Sequence, residues 1–185
     1  MKKFLYILLI ALVPLAGCKK KTTTTTTPPV VTPTGPTMNF VSFTINGFGL
    51  TNKTFTFSKD KDNLTRYEYN QNPDGTNYTN IDFERGDTSI QVRFADKTAG
   101  NKPFVSNSVY FIFTINDANN PIVVTSFTGG YNLSIFTPTN LVENTTSHAF
   151  KGKAQIEGTF SGNCIEDNSG RNYTLSGGVI KFDGK

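Results

Sequence analysis

Three tyrosines, Tyr67, Tyr69 and Tyr78, are the side chains whose type and spacing could serve ligand binding. Tyr67 and Tyr69 are two residues apart, so a β-strand places both rings on one face. Asn and Asp side chains surround them in the sequence and could supply hydrogen bonds beside the rings. Aromatic rings flanked by such groups form platforms for sugar rings, which makes glycan binding an alternative function. The competing interpretation is that the tyrosines cover a sheet with their hydroxyls in water.

The residue types that commonly perform catalysis are few and scattered along the chain. Cys164 is followed by Ile165, Glu166 and Asp167, and therefore lacks the electropositive neighbours that activate a thiol. His148 is the single histidine, and one histidine with the cysteines present gives too few ligands for a zinc site. We expect Cys164 to be a buried apolar residue and His148 to lie in a solvated loop or strand end. We expect the protein not to be an enzyme.

Asp60, Asp62 and Asn63 form a cluster of oxygen ligands of the kind that binds Ca²⁺. A calcium loop of the EF-hand type would continue with another oxygen ligand and a glycine, but Leu64 and Thr65 occupy those positions. The sequence therefore favours a charged hairpin turn here. No metal and no cofactor are expected.

The first 17 residues have the layout of an export signal. Lys2 and Lys3 form a positive start, an apolar run covers residues 4–13, and the small residues Ala16 and Gly17 follow. The run is too short to span a bilayer, which takes about 20 apolar residues. Residues 1–17 are therefore interpreted as a signal peptide.

The signal ends in the sequence Leu15-Ala16-Gly17-Cys18, which resembles the lipobox of bacterial lipoproteins at all four positions. The resemblance implies that Cys18 is acylated on its thiol, that the signal is cut before it, and that its new amino group is acylated as well. Acyl chains such as palmitate would then anchor the protein in a membrane, each buried CH₂ adding about 0.8 kcal/mol.

The residues after the cysteine bear on which membrane face the protein occupies. Lipoproteins retained in the inner membrane often carry an Asp beside the cysteine, and here Lys19 stands there, which favours the outer membrane. Surface lipoproteins of the Bacteroidota commonly carry an acidic stretch, whereas residues 19–21 are all lysine. We therefore expect the periplasmic face rather than the cell surface.

Residues 18–37 are interpreted as the lipidated cysteine and a disordered tether. The segment 22–37 consists mainly of Thr and Pro, without charged or aromatic residues, and cannot bury enough apolar area to fold. Its prolines favour extended geometry of about 3.1 Å per residue, so the tether would space the domain from the lipid. Whether the Thr run is glycosylated is left open.

The basic charge of the chain belongs to its N-terminal end. Lys+Arg number 18 against 14 Asp+Glu, but five of the lysines precede residue 38. Residues 38–185 then carry 13 basic and 14 acidic side chains. A nucleic-acid-binding domain usually needs a basic patch of its own, so nucleic acid is not an expected partner.

From Asn39 onward, short apolar-polar alternation is broken by Asn, Asp and Gly, a pattern typical of strands joined by tight turns. The predicted strands cover residues 40–45, 54–57, 66–69, 79–83, 89–94, 109–115, 122–127, 131–136, 153–160 and 173–182. Gly129-Gly130 is taken as a break between two strands, and Gly177-Gly178 as a bulge or bend. We predict a single β domain over residues 38–185, an antiparallel β-sandwich or barrel of about nine or ten short strands.

The last thirty or so residues contain the strand sequence Gly158-Thr159-Phe160-Ser161-Gly162 and a final strand through Gly178-Val179-Ile180-Lys181-Phe182. This pairing resembles the C-terminal end of small Bacteroidota lipoproteins of unknown function. The resemblance implies an envelope address and a β fold, and it transfers no functional residue. The expected function is that of a membrane-anchored envelope lipoprotein with a non-catalytic β domain, whose partners are the membrane, through Cys18, and an envelope protein or a glycan.

Overall fold

The computed structural model describes residues 38–95, 97–118 and 121–185, so the predicted signal peptide, Cys18 and the predicted tether lie outside the described residues. In the described part of the chain every regular element is a β-strand, which confirms the all-β prediction. The same residues contain no helix with the length and apolarity needed to cross a membrane. The strands are β1 (Phe40–Gly47), β2 (Leu50–Ser58), β3 (Asn63–Gln71), β4 (Asn77–Arg85), β5 (Thr88–Ala95), β6 (Gly100–Pro103), β7 (Tyr110–Ile115), β8 (Ile122–Asn144), β9 (Ala149–Glu166) and β10 (Asn172–Asp183).

β1 illustrates how the alternating pattern builds the core. Val41, Phe43 and Ile45 are fully buried on one face of the strand. Ser42 and Thr44 lie on the other face, where their hydroxyls meet threonine hydroxyls of β2 at 2.9 and 2.8 Å. Side chains of a strand alternate between two faces, so apolar residues at every second position form one continuous buried surface.

The strands form one antiparallel sheet that closes on itself. Hydrogen-bonded neighbours follow the order β2-β1-β10-β9-β3-β4-β5-β7-β8-β6, and β8 also pairs with β9. This additional pairing joins β9, β3, β4, β5, β7 and β8 in a ring. The strands β10, β1 and β2 branch from the ring where one edge of β9 changes its partner, from β3 at residues 150–152 to β10 at residues 155–165.

Phenylalanine side chains fill the space between the branch, β10, β1 and β2, and the closed ring of strands. Phe43 of β1 lies edge-on to Phe111 and Phe113 of β7, with ring centroids 4.8 and 5.3 Å apart. The ring centroid of Phe57 in β2 lies 6.2 Å from that of Phe83 in β4. Such pairs add about 0.5–1.5 kcal/mol each beyond the burial of their area. Aromatic contacts therefore pack the branch against the closed ring of strands.

The predicted break at Gly129-Gly130 is wrong, because β8 continues through both glycines as one strand of 23 residues. Gly129 has a φ of +96°, and a Cβ at that position would lie 2.2 Å from the backbone oxygen of Ser161 in β9. Glycine thus lets β8 bend and approach β9 closely without leaving the sheet. Two predicted strands become one long curved strand.

Two further pieces of strand are absent from the sequence prediction, namely β6 and residues 137–144 of β8. Both are largely polar, and Val142 in the second piece is 70% exposed, so neither shows an apolar alternation. Each becomes a strand by pairing with a neighbour, β6 with residues 130–133 and the end of β8 with residues 149–155. The predicted bulge in β10 is confirmed by a register shift between Leu175 and Gly178.

Candidate functional site

Tyr67 and Tyr69 share one face of β3, as alternation predicts, but this face is the inner one. Tyr69 is fully buried, with its ring centroid 6.1 Å from that of Phe136. Tyr67 is half-buried; its hydroxyl donates to the backbone oxygen of Ala154 and accepts the N–H of Gly184 at 3.0 Å. Burial raises the pKa of the Tyr67 hydroxyl above its usual value. The expected platform is therefore wrong for these two tyrosines, because they belong to the core.

Tyr78 lies on the outer face of β4, where it meets an arginine. The guanidinium carbon of Arg93 is 4.6 Å from the centroid of the Tyr78 ring. The strand register causes this contact: Tyr78 is opposite Ala95 and Asn80 is opposite Arg93, so Tyr78 and Arg93 are diagonal neighbours on one face. A cation above an aromatic ring contributes about 0.5–1 kcal/mol when exposed and about 2 when desolvated.

A pocket of about 290 Å³ opens beside this pair, and we call it the Tyr78 pocket. Three parts of the chain supply its lining: the β3–β4 turn, the outer face of β4 and β5, and the loop between β6 and β7. The lining side chains include Asn72, Thr76, Asn77, Tyr78, Arg93 and Asn107.

Hydrogen bonds hold the β3–β4 turn in a defined conformation. Asp74 accepts the hydroxyl of Thr76 at 2.7 Å and the N–H of Thr76 at 2.9 Å, which together lower the pKa of the Asp74 carboxyl. Asn72 donates its amide to the Thr76 hydroxyl at 2.9 Å, and Asn77 donates to the backbone oxygen of Gly75 at 2.8 Å. The amides that line the pocket are thus oriented by the turn itself.

Arg93 differs from the other arginines in the described part of the chain. Arg66, Arg85 and Arg171 are each paired with a carboxylate. Arg93 instead lies on the ring of Tyr78, and its Nε is buried with no hydrogen-bond partner among the described residues. A half-buried guanidinium whose Nε–H is unused is a strong donor to a carboxylate or carbonyl oxygen.

An apolar cleft of about 440 Å³, which we call the Phe127 cleft, adjoins the Tyr78 pocket at Asn107. Ile112, Phe127 and Ile165 supply its apolar surface, and Phe127 is 48% and Ile165 38% exposed. The register brings these strands together, since Thr125 of β8 is opposite Ile112 of β7 and also opposite Ile165 of β9. The two clefts form one outward surface on neighbouring strands.

A third cleft, of about 550 Å³, has four glycines of β8 and β10 among its lining residues. A Cβ on Gly178 would lie 2.4 Å from the backbone oxygen of Phe160, so close strand approach explains this glycine without any ligand. No charged side chain occurs among the described residues that line this cleft. Its polar groups are therefore mainly backbone groups and a few neutral side chains.

Cys164 and His148 lie where the sequence predicts them. Cys164 is fully buried, and burial raises its pKa to about 12, so the thiol stays protonated at neutral pH. His148 lies in the turn after β8 with its side chain 74% exposed, and its Nδ1 is 3.0 Å from Oε1 of Glu143. Among the described residues, neither side chain has the set of partners that nucleophilic catalysis requires.

The acidic segment between β2 and β3 forms the predicted turn and is held by an arginine. Asp62 accepts the N–H of Ser58 at 2.7 Å and the Nη2 of Arg85 at 2.7 Å. Burial raises the pKa of Asp62, but the hydrogen bonds from Arg85 and Ser58 lower the pKa by more than burial raises it. The net pKa is therefore below the usual value. No group of three or more His, Cys, Asp or Glu side chains within the described ranges could hold a metal ion.

The sequence analysis identified Tyr78 and its surrounding amides but missed Arg93 and Asn107. Arg93 alternates with buried residues of β5, so an outward side chain was predictable, whereas its contact with Tyr78 depends on the β4–β5 register. Asn107 belongs to the loop after β6, a strand with no apolar signal. Its place in the pocket follows from the pairing of β6 with β8.

Comparison with known proteins identifies no relative of this chain: no protein-family model, no curated protein and no solved structure matches it.

Proposed function

We propose that this chain is a lipid-anchored protein of the bacterial cell envelope whose β domain binds another envelope component and catalyses no reaction. The observation that supports binding is the outer surface on which the Tyr78 pocket and the Phe127 cleft adjoin at Asn107. One cleft offers amides and a guanidinium, and the other offers apolar side chains. Apolar surface with a few placed polar groups is typical of ligand-binding sites.

The anchoring part of the proposal rests on Cys18 and the three residues before it. Cells fed an alkyne analogue of palmitate should label the wild-type protein, which should partition with the membranes. Cys18→Ala should lose the label, since it removes the thiol that would be acylated. Cys164→Ala is the matched control and should keep the label. A Cys18→Ala protein that is still labelled would contradict the proposal.

The location part of the proposal is the periplasmic face of the outer membrane, supported by the lysines at 19–21. Protease added to intact cells should leave the protein uncut, and opening of the outer membrane should expose it. Cleavage on intact cells would place the protein on the cell surface instead. A known periplasmic protein followed in the same samples reports whether the cells stayed closed.

Glycan binding is the second candidate, and the Tyr78 pocket is the observation that favours it. An aromatic ring beside oriented amides suits a sugar, whose hydroxyls both donate and accept hydrogen bonds. The full chain, purified in detergent, should bind members of a glycan array, and Tyr78→Ala should weaken this binding at least about tenfold by removing the ring and its hold on Arg93. Tyr78→Phe keeps the ring and should bind much like wild type. An array without bound glycans would overturn this candidate.

The absence of catalysis is the part of the proposal that a substrate panel tests. The purified full chain should turn over none of a set of glycosidase, esterase and peptidase substrates. Turnover that disappears on substitution of one carboxylate would show an active site and would end the proposal. Turnover that does not co-purify with the chain would instead indicate a contaminating enzyme and would leave the expected result in place.

A further inference from the structure

We propose that the Tyr78 pocket recognises a sugar residue that carries a carboxylate, and that Arg93 is the group that binds this carboxylate. The inference rests on the proposed glycan-binding function and names the class of glycan that the site would take. Its starting point is an unpaired cation in a small polar pocket. Arg93 lies on the Tyr78 ring at 4.6 Å, and its Nε has no hydrogen-bond partner among the described residues.

Among the described residues that line the pocket, no Asp or Glu balances the charge of Arg93. Asp74, in the adjoining turn, accepts two hydrogen bonds from Thr76. A half-buried cation without a counter-charge favours an anionic ligand, because a charge removed from water is stabilised chiefly by an opposite charge with hydrogen bonds. A carboxylate can accept two parallel N–H groups of one guanidinium.

The Arg93 side chain is also held in place before any ligand binds. The Tyr78 ring supports the guanidinium from β4, and β5 supplies the arginine, so two paired strands define its position. Stacking on a ring leaves the in-plane N–H groups of a guanidinium available for hydrogen bonds. An arginine ordered beforehand loses less conformational entropy on binding than a flexible surface arginine.

The remaining lining favours a sugar over an acidic peptide. Asn72, Asn77 and Asn107 border the pocket, and an amide offers both donors and acceptors. Sugar hydroxyls also donate and accept, so this lining matches a ring of hydroxyl groups. The volume of about 290 Å³ lies just below the range of drug-sized ligand pockets, which begins near 300 Å³. A pocket of this size suits a single sugar ring.

The test is a glycan array that pairs each uronic-acid glycan with its methyl ester and with the neutral sugar, probed with the full chain in detergent. We expect binding to the free acids, at least about tenfold weaker binding to the esters, and loss of the acid preference in Arg93→Gln. Arg93→Lys keeps the charge without the planar fork and should retain part of the preference. Arg66→Gln is the matched control, because Arg66 also lies on the outer face but is paired with Asp82. This control should bind the acids like wild type.

The other outcomes separate failure of the inference from failure of glycan binding. Equal binding of acids, esters and neutral sugars would keep the proposed function and overturn the role of Arg93. An array without any bound glycan would overturn both. A poly-glutamate peptide that binds as tightly as the uronic acids would show that the pocket recognises a carboxylate without a sugar. This result would overturn the assignment to glycans. Thermal melting of each variant shows that it is folded.

Discussion

The hydroxyl of Tyr69 donates a hydrogen bond of 2.9 Å to Oδ1 of Asn77. This bond joins a fully buried ring to an amide that lines the Tyr78 pocket. It also sets the orientation of the amide, since Nδ2 of Asn77 then donates to Gly75 at 2.8 Å. Tyr69 therefore positions a pocket residue from the core, although it has no surface of its own to offer a ligand.

Tyr69→Phe should lower the free energy of unfolding by about 0.5–1.5 kcal/mol and weaken glycan binding, because Asn77 loses the donor that orients it. Urea denaturation and the glycan array measure the two effects. Tyr78→Phe is the control, since it removes a hydroxyl from the same pocket and keeps the ring beneath Arg93. Equal losses in the two variants would show that the Tyr69 hydroxyl has no special part in ordering the pocket.

Asp62→Asn should lower the free energy of unfolding near neutral pH by about 1–3 kcal/mol, because it weakens the charged bonds to Arg85. The pKa of Asp62 in the folded protein lies below its ordinary 3.8. The stabilising contribution is therefore present above about pH 3.8 and is lost as the pH falls through the lower folded value. The difference between wild type and variant should shrink on acidification.

The control for that prediction is Asp60→Asn, which removes one negative charge from the same turn and leaves the bonds between Asp62 and Arg85 intact. We expect it to change the free energy of unfolding by less than about 0.5 kcal/mol. Urea titrations from pH 7 to pH 3 measure all three proteins. A difference between wild type and Asp62→Asn that stays constant across this range would contradict the assignment.

Cys164 should resist alkylation in the folded protein, since the thiol is buried and its pKa is raised to about 12. In Cys18→Ala it is the only thiol, and iodoacetamide at pH 8 should label it slowly in buffer and quickly in urea. Rapid labelling of the folded protein would show that this part of β9 opens readily.

The raised pKa of Cys164 also predicts a loss of stability at alkaline pH. The unfolded thiol ionises near its ordinary 9.0, whereas the folded thiol stays neutral up to about 12. The contribution of this thiol is therefore complete below pH 9.0 and declines as the pH rises toward 12. Cys164→Ala should decline less over that range in urea titrations, and parallel curves for both proteins would count against the burial of the thiol.

Gly129→Ala should destabilise the protein more than Gly75→Ala. Both glycines have left-handed backbones, with φ of +96° and +85°, and alanine costs about 1–2 kcal/mol in such a conformation. Only at Gly129 would the new Cβ meet the backbone of β9, at 2.2 Å, which adds about 1–3 kcal/mol of overpacking. Thermal unfolding of the two variants measures the difference. Equal destabilisation would mean that β8 can move away from β9 at low cost.

The sequence by itself determined the class of fold and the position of most strands. Alternation of the kind seen at Val41, Phe43 and Ile45 needs no information beyond the strand itself, because its period of two is a property of extended backbone. The hairpin turns at residues 59–62 and 72–76 are likewise local, since Asp, Asn and Gly favour such backbones by their own side chains or lack of one. The proposed lipobox, too, rests on four consecutive residues.

Only the tertiary structure decided which face of a strand with large side chains on both sides, such as β3, lies inward, and which side chains meet across strands. Tyr67 and Tyr69 share a face by local geometry, but whether that face is inner or outer depends on the strands that cover it. The contact of Tyr78 with Arg93 depends in the same way on the register of β4 against β5. Alternation along one strand shows which of its side chains share a face. Which face is covered, and which residues lie opposite each other on neighbouring strands, depends on contacts between residues that are distant in the chain. For this reason the sequence led to a tyrosine platform that the fold does not contain at Tyr67 and Tyr69. The Tyr78 pocket with its arginine could be found only in the fold.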